Sequence, residues 1–105
     1  MKQTGNTRPD EVIFLPPRVT FNYDVVEIKE KEETTYEWSS VELKQNEWEY
    51  GNLVSAIIRE RYSADDVEAI ILNYGDGDAD HERYYWELQE WRKHAKALAR
   101  KVFGL

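Results

Sequence analysis

Asp76, Asp78, Asp80 and Glu87 fall at the first, third, fifth and twelfth places of one stretch, "NYGDGDADHERYYWE" at residues 73–87. This is the spacing at which an EF-hand loop presents carboxylate oxygens to calcium. Two departures weigh against that chemistry. The sixth place, where glycine permits the sharp turn, holds His81, and the eighth, normally apolar, holds Arg83. Asp80 is also a good N-cap for a helix that has Arg83, Tyr84 and Glu87 in register behind it, which would carry Glu87 nearly two turns from the aspartates. The stretch is therefore expected to be a turn whose aspartates cap the next helix. Asp76, Asp78 and Asp80 remain its only candidate metal ligands, and no metal is assigned.

Other catalytic chemistry finds less support. His81 and His94 are the only histidines, and neither lies in a serine or aspartate motif of the kind that activates a nucleophile. Carboxylate pairs such as Glu47 with Glu49, or Asp65 with Asp66, are common, but acid–base catalysis needs two carboxyls in unlike environments across a cleft. No catalytic residue and no cofactor is assigned, and the chain is expected not to be an enzyme.

Aromatic residues are the more informative group. Four tryptophans and seven tyrosines are many for 105 residues. Trp38, Trp48, Tyr50, Tyr84, Tyr85, Trp86 and Trp91 fall in three stretches. Tryptophan and tyrosine combine a large apolar body with a polar tip and are enriched at interfaces. Trp38, Trp48, Tyr85, Trp86 and Trp91 are the expected partner-binding residues, against the alternative that they roof a thin core. Tyr85 and Trp86 are about 100° apart on a helix and cannot both join the stripe of Tyr84, Leu88 and Trp91.

Composition narrows the classes. A chain that is 41% apolar and 33% charged suits a single domain. The net charge of −7 argues against wrapping nucleic acid, which rewards clustered lysine and arginine. Without cysteine there are no disulfides, thiolate zinc sites or thiol nucleophiles. The apolar run Val12 to Leu15 is too short for a signal-peptide core or a membrane span, so a cytoplasmic product is expected.

The elements that must position these residues change period at mid-chain. Residues 1–11 mix glycine, proline and charge and are expected to be a flexible terminus ahead of a domain at 12–105. "VIFLPP" suits an extended edge segment closed by Pro16 and Pro17. "VTFNYDVVEIK" alternates through Val19, Phe21, Tyr23 and Val25, then shifts phase at Val26 and Ile28, as a bulged strand would. "TTYEWSSVELK" alternates through Tyr36 and Trp38 and changes phase at Ser39 and Ser40. An antiparallel hairpin over 19–44 follows. Beyond it, Leu53, Val54, Ile57 and Ile58 mark a helix over 52–62 with Asn52 as N-cap, and Ser63 heads a second over about 64–74. From His81 to Phe103, Tyr84, Leu88, Trp91, Ala95, Leu98 and Val102 form the stripe of the longest helix. Arg92, Lys93, Lys96, Arg100 and Lys101 complement its C-terminal dipole, and Gly104 stops it. The expected fold is α+β, an N-terminal antiparallel β-hairpin packed on three C-terminal helices, the last one long.

"ELQEWRKHAKALAR", residues 87–100, resembles the "W-x-x-[YH]-[RK]-x-[AL]-[LR]" helix near the end of small phage tail-fibre assembly and tail-associated proteins. Trp91, His94, Ala95 and Leu98 take the matching places, with Ala95 one position before the basic Lys96. Residues 34–103 more broadly look like small prophage proteins. The resemblance implies a virion component or assembly factor acting through protein contacts with a phage structural protein. It supplies no active site. The expected function is thus a non-catalytic protein-interaction role in phage or prophage structure or tail assembly. A divalent-cation-binding regulatory module and an acidic inhibitor mimicking nucleic acid are the alternatives, the basic run at 92–101 counting against the second. The stripe of Tyr84, Leu88, Trp91, Ala95, Leu98 and Val102 could serve self-association or the chain's own core, and since about three heptads is short for an independent coiled coil, core packing is the expected use.

Overall fold

The computed structural model describes all 105 residues, Met1–Leu105. The fold is α+β: a four-stranded antiparallel sheet followed by three helices, the last of them long. Length alone suggests one domain, but the chain divides into two compact units, Met1–Trp48 and Glu49–Leu105.

The sheet unit is built on the expected hairpin. Strand β3 (Arg18–Glu30) pairs with β4 (Glu33–Lys44), flanked by β1 (Lys2–Gly5) on β4 and β2 (Val12–Leu15) on β3. Tyr23 pairs with Ser39 and Val26 with Glu37, so two residues of β3 oppose one of β4, and Asp24 takes a φ of 52° in this bulge. No second irregularity is needed at Ser39 and Ser40. Strand β4 runs without interruption, and its phase change means that Tyr36 and Trp38 lie on the opposite face from Val41 and Leu43. Val19, Phe21 and Tyr23 share the face of Val41, and all four are buried.

Residues 2–5, expected to be loose, instead form an edge strand. Gln3 lies opposite Trp38, and the Trp38 ring crosses the backbone at Gly5, where an added Cβ would come within 3.0 Å of it. The Met1 amino group donates to the Ser40 carbonyl at 2.8 Å. The following segment is tied down too. Buried Asn22 donates its side-chain amide to the Asp10 carbonyl at 2.8 Å and accepts from the Ser40 hydroxyl at 2.5 Å, which satisfies its polar atoms out of water.

In the helical unit, α1 (Tyr50–Arg61) and α2 (Ala64–Asn73) both pack against α3 (Ala79–Phe103). Helix α1 starts earlier than expected: Glu49, not Asn52, is its N-cap, and the helix runs through Gly51. Ser63 caps α2 as expected, accepting from the Asp66 amide while the Asp66 carboxylate accepts from the Ser63 amide. Gly104 ends α3 at a φ of 68°, in the left-handed region. The buried line of α3 is Leu88, Trp91, Ala95 and Ala99, facing Leu53, Val54 and Ile57 of α1 as the helical core. Tyr84 lies outside that line, exposed. No helix is long and apolar enough to cross a membrane.

Candidate functional site

The turn between α2 and α3 sets the geometry of the aromatic residues. Gly75 and Gly77 both take a φ of 89°, a conformation that side chains with a Cβ disfavour, and so let the chain reverse within a few residues. Asp76, between them, and Asp78, just after, are committed to the turn. Asp76 Oδ1 accepts from the Asp78 amide at 2.9 Å, and its Oδ2 meets His81 Nδ1 at 2.6 Å. Asp78 is the N-cap of α3, accepting from the amides of Asp80 at 2.8 Å and His81 at 3.3 Å. This replaces the expected cap at Asp80, which instead pairs with Arg83 at 3.4 Å. The three aspartates thus act as three separate acceptors. No group of three or more histidine, cysteine, aspartate or glutamate side chains is placed to hold a metal ion.

The His81 and Asp76 pair gives the turn a pH dependence. The hydrogen bond that the His81 ring donates to the Asp76 carboxylate raises the His81 pKa above its ordinary 6.5. The Asp78 amide, and after it His81, lowers that of Asp76 below 3.8. Stabilisation from His81 is full below pH 6.5 and fades as pH rises through the higher folded value. That from Asp76 is present above pH 3.8 and fades as pH falls through the lower folded value. The pair is complete between those limits. Proton NMR titration of the His81 ring should show its midpoint falling back towards 6.5 in Asp76→Asn. An unchanged midpoint would mean that the two side chains do not pair.

Closing the turn brings Tyr74, at the end of α2, onto Tyr85 of α3. Their rings stack with centroids 3.8 Å apart and an interplanar angle of 20°. Trp86 stands edge-on to both, at 6.2 Å from Tyr74 and 5.2 Å from Tyr85. Tyr85 is half-buried in this stack, whereas Trp86 is 53% exposed. Of the two neighbours on the helix, Trp86 is the one that meets solvent. A shallow cleft beside it is lined by Arg61, Tyr62, Arg83, Glu87 and Glu90, mixing both signs of charge with aromatic surface.

The five expected partner-binding residues are divided between the two units, Trp38 and Trp48 in the first and Tyr85, Trp86 and Trp91 in the second. Tyr85 and Trp86 come together, joined by Tyr74. Trp91 is a core residue, 9% exposed. Its indole N–H donates to the Ile57 carbonyl at 3.1 Å, and the Arg61 guanidinium covers its ring at 3.8 Å. Trp38 and Trp48 belong to the sheet unit, both half-buried. Trp38 lies over Gly5, and Trp48 meets the exposed Phe14 edge-on at 6.1 Å. Tyr74 and Phe14 escape the sequence reading because the first sits at a helix end and the second in a short apolar run. The signal that could have found Tyr74 is its place in register with Val67, Ile70 and Ile71 along the apolar side of α2.

Comparisons with protein-family models, with curated proteins and with solved structures return no match.

Proposed function

We propose that the protein is a non-catalytic interaction module that binds a protein partner through the corner formed by Tyr74, Tyr85 and Trp86. The observation that carries this reading is a half-exposed indole braced by two stacked tyrosines. A side chain fixed before binding loses little rotamer entropy on binding, and tryptophan is among the residues enriched at interface hot spots. The acidic body and the basic later turns of α3 would orient the encounter. With the resemblance of residues 87–100 to phage tail-associated helices, the partner class is a phage or prophage structural protein met during tail assembly. A benzophenone side chain replacing Trp86 should crosslink, in cells producing the phage particle, to one tail protein, while the same group at exposed Lys29 should not. Trp86→Ala should weaken that complex about thirtyfold, the effect of losing an interface anchor. Equal crosslinking from both positions would remove the corner as the docking site.

A further inference from the structure

We propose that the groove between α1 and α2 docks a second copy of this chain, with Arg59 of each copy set against Glu68 of the other by a twofold axis. Ala64, Val67, Ile71 and Leu72 recur at helical spacing along one side of α2 and face Ser55 and Ile58 of α1. They enclose an open groove of about 500 Å³. Both helices pack more closely on α3 than on each other. No residue of α2 is fully buried: Val67 and Ile70 are half-buried, and Ile71 is 47% and Leu72 73% exposed. A ten-residue helix is marginal in water and gains its stability from a covered apolar side, which α2 has only in part.

Charge decides among the occupants of that groove. The α1 wall carries Arg59 and the α2 wall carries Glu68. Neither takes part in an ion pair within the chain. One positive wall and one negative wall are complementary to themselves after a half-turn, so two copies meet with two opposite-charge contacts and shared apolar cover. A helix of single charge sign would match one wall and be repelled by the other. The net charge of −7 opposes approach at long range, but screening over ~8 Å at physiological salt leaves the short-range contacts to decide. The stripe of α3 is not open to this use, because Leu88, Trp91 and Ala95 are already buried.

Sedimentation equilibrium of the full chain across the micromolar range tests the proposal. The expected result is a monomer–dimer equilibrium whose Kd rises about thirtyfold in Leu72→Glu, an exposed position where substitution leaves the fold intact. Arg59→Glu and Glu68→Arg should each raise Kd about tenfold, and the double exchange should restore it to within about threefold of the original. Trp86→Ala should leave the equilibrium unmoved, which separates this surface from the aromatic corner. A chain that stays monomeric, a dimer indifferent to Leu72→Glu, one lost in Trp86→Ala, or a double exchange without recovery would each overturn the proposal.

Discussion

Trp91→Ala is expected to destabilise the helical unit by about 3–5 kcal/mol, the range for truncating a large buried aromatic side chain. The indole is 9% exposed, and its removal opens a cavity between α1 and α3. It also strands part of the bonding capacity of the Ile57 carbonyl and uncovers the Arg61 guanidinium. Trp91→Phe should keep most of the packing and lose the hydrogen bond, at roughly 1–2 kcal/mol. Trp86→Ala, five residues away, should cost only about 1 kcal/mol, since the ring is half-exposed and loses little beyond its edge contacts with Tyr74 and Tyr85. Urea unfolding followed by circular dichroism distinguishes the three. A Trp91→Ala chain as stable as the original would return that ring to the surface and restore it as a partner-binding residue.

That contrast shows what residue types can and cannot reveal. Type and spacing place Trp91 on the stripe of α3, but the same stripe serves a core or an interface equally well. The choice depends on Leu53, Val54 and Ile57 arriving from α1. Adjacency alone requires that Tyr85 and Trp86 point apart, whereas the stack on Tyr74 decides which one is sheltered. Caps follow the same logic. Ser63 was legible because a hydroxyl followed three residues later by Asp66 has one reciprocal solution. In "GDGDAD" the two candidate caps Asp78 and Asp80 are chemically identical, and starting at Asp78 adds helical residues while the two glycines absorb the reversal. Helix α1 passes through Gly51, a cost of about 1 kcal/mol, because burial of Leu53, Val54 and Ile57 outweighs it. Strand β1 was hidden for a different reason. "KQTG" has no alternation of its own, and its pairing comes from β4, more than thirty positions away by the Gly5 to Tyr36 register, a non-local contact that no local pattern records.

Phe21→Ala should cost the sheet unit about 3–5 kcal/mol, by the same account of buried aromatic truncation. Phe21 is 1% exposed, lies opposite Val41 of β4 and Val12 of β2, and stacks on Tyr23 at 5.4 Å. It therefore joins three of the four strands. In a unit of 48 residues such a loss is a large share of the total stability, since small units bury proportionately less surface. Amide exchange in Val12–Leu15 and in the paired residues of β4 should accelerate together. Val26→Ala is the informative control. By register Val26 lies on the same face, but it comes after the bulge and is 53% exposed, so its truncation should cost no more than about 0.5 kcal/mol. The difference between the two variants locates the edge of the core at the bulge. Residues before it hold the sheet together, and those after it form an arm of the hairpin whose backbone bonds carry little apolar cover. Equal losses at Phe21 and Val26 would instead mean that the core continues along the arm.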